Sequence, residues 1–233
     1  MFSVADWSAW SPTIQLPEDW NSWAKDPFPL NGESSPTVNG MSASNRRRLN
    51  RLGQISLAPL YQLPESNAPI IYCSQYGEIN RSYGLLKQIT EGDLLSPQAF
   101  SMSVHNSIPC LHRIDLKNHS NVISVASSTP SLSGLVEAIG LFSQGEESVR
   151  LMVCEDNLPV IYGQDNPHSN QSYGYVIDLK SQGNISIEIS DASENPNGSD
   201  ILPVDLRILS FLISEQFEQT EILNGARWRL WRS

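Results

Sequence analysis

Apolar residues along the chain fall into short runs separated by long polar stretches. Phe2–Trp10 alternates, with Phe2 and Val4 followed by an aromatic end at Trp7 and Trp10, and predicts a first strand. Residues 11–40 are rich in Pro, Asn, Ser and Gly and predict a surface loop pinned by Trp20 and Trp23. Ser42 or Ser44 caps a predicted helix that runs to about Leu57, with Pro59 near its end. Residues 69–74 read as a short apolar strand, and Leu85, Leu86 and Ile89 mark a helix that Gly92 stops. Ser96-Pro97 opens the next helix with a cap and a proline at its first position. That helix is predicted to carry Ser103, Val104, His105 and Asn106 until Pro109 interrupts it.

Residues 121–126 predict a strand, and residues 131–142 an amphipathic helix with Leu132, Leu135, Val136 and Ile139 at helical spacing. Residues 149–154 predict a buried strand. This strand, turn, helix, strand sequence is a βαβ unit, so at least part of the sheet is parallel. Residues 163–171 read as loop. Residues 172–179 and 184–190 read as two strands joined by a hairpin at Gln182-Gly183. Residues 191–200 follow as loop. Residues 203–218 predict a helix with Leu206, Leu209, Phe211, Leu212 and Phe217 on its buried side, and residues 226–231 a last strand. There is no internal repeat and no linker-like stretch, so residues 1–233 read as one domain.

Composition narrows the function classes. The 233 residues are 39% hydrophobic, enough for a core, and only 17% charged, which fits long polar loops. A net charge of -10 argues against nucleic acid, because phosphate binding needs a basic surface. Three widely spaced cysteines, Cys73, Cys110 and Cys154, fit neither a disulfide framework nor a zinc site. His112, His119 and His168 lack metal-like spacing, and no cofactor motif occurs. The start has no basic flank and no run approaches a membrane span, so a cytoplasmic protein is expected.

Several segments carry a resemblance. Phe2-Ser-Val-Ala-Asp-Trp-Ser-Ala-Trp-Ser-Pro12, with Trp20 and Trp23 after it, forms a Trp-rich opening. Arg46-Arg-Arg-Leu-Asn-Arg-Leu52 is a basic helix, and Ser74-Gln-Tyr-Gly-Glu78 followed by Leu85-Leu86 is a strand-to-helix turn. The most specific segment is Ser96-Pro-Gln-Ala-Phe-Ser-Met-Ser-Val-His-Asn106, and Arg227-Trp-Arg-Leu-Trp-Arg232 closes the chain. Together they resemble the β-ketoacyl synthase-like N-terminal family, the short chain-length-factor proteins of aryl-polyene biosynthesis.

The resemblance implies an α/β fold: half of a thiolase fold, a βαβαβαββ mixed sheet with helices on both faces and long polar loops. In condensing enzymes a nucleophilic Cys sits at a strand-to-helix turn, where backbone amides and the helix dipole lower its pKa and stabilise an oxyanion. The corresponding turn here is Ser124-Val-Ala-Ser-Ser-Thr-Pro-Ser131, and counting back from Glu137-Ala138 places Ser128 at the Cys position. A serine without a paired base is a poor acyl acceptor, and the turn serines read more simply as helix caps. The expectation is therefore a non-catalytic partner of an active β-ketoacyl synthase, completing its dimer and shaping its acyl tunnel. The strand predicted at 121–126 would, through Val122, Ile123, Ser124 and Val125, present a sticky edge in a lone chain. Phe100, Met102, Ser103, His105, Asn106 and Ile108 are the expected interface and tunnel residues. Arg46, Arg47, Arg48 and Arg51 form a candidate docking patch for acyl carrier protein. Two alternatives stay open: an acyltransferase or thioesterase using Ser128 or Cys110, with His105 or His112 as base, and a purely stabilising scaffold.

Overall fold

A computed structural model describes residues 1–163, 166, 168–192 and 202–233. In chain order the elements are β1 (Phe2–Trp10), α1 (Pro17–Trp23), α2 (Ala43–Arg46), α3 (Arg51–Leu60), β2 (Ile70–Ser74), α4 (Ile79–Glu91), α5 (Pro97–Ser101) and α6 (Ser107–Asp115). There follow β3 (Val122–Ala126), α7 (Pro130–Ser143), β4 (Ser148–Glu155), α8 (Val160–Gly163), β5 (Tyr173–Asp191), α9 (Val204–Ile213), β6 (Glu218–Leu223) and β7 (Ala226–Arg232). The strands form one mixed sheet in the order β3-β2-β4-β5-β7-β6, with β1 alongside β5. β2 pairs in parallel with both β3 and β4, and the remaining pairs are antiparallel.

The central strand β2, Ile-Ile-Tyr-Cys-Ser, is buried throughout, as a strand covered on both faces must be. Side chains alternate between two cores. Ile71, Cys73, Leu151, Val153 and Ile177 pack with α1, α7 and α9. Ile70, Tyr72, Met152, Cys154 and Val176 pack with α3 and α6. Helix-covered faces and the strand order give the expected α/β half-fold, and Cys73 and Cys154 are buried thiols.

Several elements differ from the sequence expectation, each for a local reason. The helix expected from Ser42 to about Leu57 is two helices, because Asn50 starts α3 afresh by accepting from the Gly53 amide at 3.0 Å. The 11–40 loop contains α1, opened by Pro17, which buries Trp20 and Trp23. Ser103, Val104, His105 and Asn106 lie outside any helix: α5 ends at Ser101, and Pro109 sits in the first turn of α6, where an amide would have no partner in the helix. On α7 the buried stripe is Leu132, Leu135 and Ala138, while Val136 and Ile139 face outward.

No hairpin forms at Gln182-Gly183, since β5 runs straight through as one 19-residue strand. The glycine serves a close crossing instead: a Cβ at Gly183 would lie 2.4 Å from the Phe2 carbonyl oxygen. The pairing skips residues 181–184 of β5 there, the register jumping from Ser3 opposite Lys180 to Phe2 opposite Ile185. The true hairpin is β6–β7, closed by Asn224-Gly225, both at positive φ (52° and 78°) as its two-residue turn requires. The helix expected over 203–218 therefore stops at Ile213, and Phe217 is exposed rather than buried. The loop expected over 191–200 lies outside the described residues from 193 onward, as do residues 164, 165 and 167 of the 163–171 loop.

Candidate functional site

The parallel strands β2, β3 and β4 end on one rim, and β3 there turns into α7. Ser127 organises the turn. Its amide donates to the Ser74 carbonyl, and its Oγ accepts from the Thr129 amide at 3.1 Å and from Ser133 Oγ at 2.7 Å. Ser127 thus closes a local turn ahead of α7 and does not cap it as expected: the N-cap residue is Thr129, which makes no side-chain cap. Ser128 is exposed and, among the described residues, no hydrogen bond to its hydroxyl is present.

The start of α7 is held from another element. The Ser131 amide and Oγ both donate to Asp205 Oδ1, at 2.7 and 2.6 Å, and Tyr173 OH donates to Asp205 Oδ2 at 3.1 Å. Burial raises the Asp205 carboxyl, and the Ser131 and Tyr173 donors oppose that rise. Asp205, Ser128, Glu155, Asp156 and Tyr173 line a cavity of about 330 Å³. Burial pushes Glu155 up to about 8, so it holds its proton at pH 7 while accepting from the Gln75 amide.

Beside this cavity, a recess of about 280 Å³ is lined by Gly77, Glu78, Ser103, His105 and Ala126. Gln75 and Tyr76 line both spaces, so His105 and Ser128 face different ones. The His105 ring packs 5.2 Å from Tyr72, and burial lowers its pKa, which favours the neutral imidazole. A Cβ at Gly77, whose φ is +52°, would meet the ring at 2.7 Å, so only glycine leaves room for it.

The expected interface residues divide into two groups. Met102 (4% exposed) and Ile108 (0%) belong to the chain's own core, and so do not project toward a partner. Phe100 is 65% exposed, Asn106 is exposed, and Ser103 is half-buried. Val122, Ile123, Ser124 and Val125 are half-buried, because β3 pairs only with β2 among the described residues and its outer edge is open. Next to Phe100, Leu86, Ile89 and Leu94 of α4 and the following turn are also uncovered.

Arg51 is not part of a free basic patch. It pairs with Asp156, donates to Ser172 Oγ (2.9 Å), and binds the Gly32 and Ser34 carbonyls (2.8 and 3.1 Å). Arg47 stays exposed, and Arg46 reaches back to the Val38 carbonyl. Cys110 is half-buried with its pKa raised by burial. His112 is buried and lowered to about 4, with its ring 5.1 Å from Tyr61. Among the described residues no cluster of three or more His, Cys, Asp or Glu could hold a metal, and no helix is long and apolar enough to cross a membrane. Sequence reasoning missed Asp205 and Glu155. Glu155 ends β4, and Asp205 stands in the first turn of α9, positions that mark a rim carboxylate and a cap acceptor only once the fold is known.

A mixed sheet layered by helices, with a helix N-terminus at the rim of its parallel strands, defines a thiolase-like ketosynthase fold. Residues 20–232 match the β-ketoacyl synthase N-terminal domain family, and the chain belongs to it. Among solved structures it is similar to a chain of the ketosynthase (ApeO) in complex with its chain length factor (ApeC) from Xenorhabdus doucetiae. The TM-score is 0.85 at 23% identity, over 99% of both chains. The ishigamide ketosynthase/chain length factor matches at TM-score 0.63 and 11% identity, over 82% of this chain and 68% of that one. A ketosynthase from module 1 of the bacillaene synthase of Bacillus amyloliquefaciens FZB42 matches at TM-score 0.56 and 11% identity, over 84% of this chain but only 47% of that one. No curated relative matches.

Proposed function

We propose that residues 1–233 act as one ketosynthase-like half-domain, a non-catalytic, chain-length-factor-like partner of an active β-ketoacyl-acyl carrier protein synthase. It completes that synthase's dimer and shapes its acyl tunnel in biosynthesis of the aryl-polyene or fatty-acid type. The observations that carry this reading are the open edge of β3 and, separately, the uncovered apolar side chains Leu86, Ile89, Leu94 and Phe100. An open edge strand is a template for pairing with another chain, and uncovered apolar side chains mark a surface for contact. The similarity to a complex of a ketosynthase with its chain length factor supports the choice of partner. The Ser128 hydroxyl, without a hydrogen bond among the described residues, supports a non-catalytic role, and Arg46, Arg47 and Arg48 remain the docking candidates for acyl carrier protein.

A scaffold role is the second reading, and the burial of Met102 and Ile108 favours it, because it leaves Phe100 as the bulky side chain that projects from the expected tunnel set. Phe100→Ala separates the two. Tunnel shaping predicts longer products from the reconstituted pair at unchanged pairing, and unchanged product length would leave only the scaffold. An acyl adduct on Ser128 or Cys110, seen by intact mass after incubation with an acyl thioester, would refute the non-catalytic reading.

A further inference from the structure

The N-terminal end of α7 is already occupied. Pro130 at its first position has no amide hydrogen, and Thr129 supplies no side-chain cap. The next amide, that of Ser131, donates to Asp205 Oδ1 at 2.7 Å, and the same oxygen accepts from the Ser131 hydroxyl at 2.6 Å. The carboxylate comes from α9, is only 4% exposed, and is fixed from its other oxygen by Tyr173. A helix end attracts one anion through its free amides and its dipole, and the attraction fades within a turn. A second negative charge two or three residues away would meet Asp205 instead of an open helix end. It would also share its cavity with Asp156.

We infer that Asp205 is the resident anion of the α7 N-terminus and that α9 thereby keeps the turn at position 128 from supporting a thiolate or an oxyanion. The inference rests on the non-catalytic reading and deepens it: the turn is silenced by a filled electrostatic site as well as by its serine. A thiol put back at position 128 would remain an ordinary thiol.

The test uses Ser128→Cys in a Cys110→Ser background of the full chain, with alkylation by iodoacetamide followed by intact mass across pH. Cys73 and Cys154 are buried and give little background. Among the described residues, the titratable or charged groups that line the cavity with the introduced thiol, besides Asp205, are Tyr76, Glu155, Asp156, His168, Tyr173 and Arg207, and the pH profile is compared between variants that share all of them. With Asp205 present, the thiol should titrate at or above about 8.5, the value of a free cysteine. Adding Asp205→Asn should lower that midpoint by at least about one pH unit and speed alkylation at pH 7 roughly tenfold. Asp205→Ser keeps a small acceptor for Ser131 without the charge and should act alike if Asp205→Asn does not fold. A depressed midpoint in Ser128→Cys alone, or equal midpoints with and without Asp205 in folded protein, would overturn the inference. Acylation of the unaltered Ser128 would instead defeat the non-catalytic reading, and is scored separately.

Discussion

Arg51 offers the sharpest contrast between a docking residue and a structural one. Its guanidinium joins α3 to the 32–34 loop, to Asp156 after β4 and to Ser172 before β5. The Asp156 side chain is 8% exposed and that of Arg51 21%. Arg51→Ala strands a buried carboxylate whose pKa burial already raises and the Arg51 charge restrains. Removing one member of a buried pair costs about 3–5 kcal/mol. The part-exposed arginine places this case at the low end, and water can replace some of the carbonyl contacts, so about 3 kcal/mol is expected. In a chain of this size that lowers Tm by roughly 6–12 °C. Thermal and urea unfolding by circular dichroism measure it, with the exposed Arg47→Ala as a control expected within about 0.5 kcal/mol. Asp156→Asn in the Arg51→Ala background should recover part of the loss, because the stranded charge is then gone. A change in Tm below about 2 °C, or weakened carrier-protein binding at unchanged stability, would refute the structural role.

Glu155 should give the protein a pH-dependent stability. Its folded value near 8 lies above the ordinary 4.5, so its contribution is full below about 4.5 and is lost as pH rises through 8. Tm measured from pH 5 to 8.5 should fall more in the wild type than in Glu155→Gln, and parallel curves would contradict this. His112 acts in the opposite sense: lowered to about 4 from 6.5, it stabilises above 6.5 and the stability is lost as pH falls through 4, an acid-side loss that His112→Gln should remove. Gly77→Ala should displace His105 and strain a left-handed residue, costing about 1–3 kcal/mol, and an unchanged Tm would show that the ring gives way freely.

The strands and helices with strong local patterns were legible in the sequence. β2, β4 and α4 stand where their apolar runs and the Gly92 stop put them. The misses have physical causes. Gln182-Gly183 looks like a turn, but the glycine is demanded by β1 crossing β5, a long-range contact that no local pattern encodes. Asn224-Gly225 is a hairpin signal in its own right, but the polar run of β6 before it hid the strand and with it the turn, because an edge strand need not alternate clearly. Of the candidate site, the Ser128 turn and the open β3 edge could be placed from the sequence. Asp205 could not, since 74 residues separate it from the Ser131 amide it caps. The burial of Met102 and Ile108 was equally hidden, because an apolar residue that faces a partner and one that faces the core look alike in a sequence.

Mass measurement of the co-expressed pair tests the central claim most directly. Purified with a β-ketoacyl synthase from the same gene neighbourhood, the chain should elute in light-scattering chromatography as a stable complex holding equal numbers of both subunits. Ile123→Lys on the open β3 strand should break that complex while leaving the synthase folded. A wild-type chain that elutes as a well-behaved monomer, apart from the synthase, would contradict the claim.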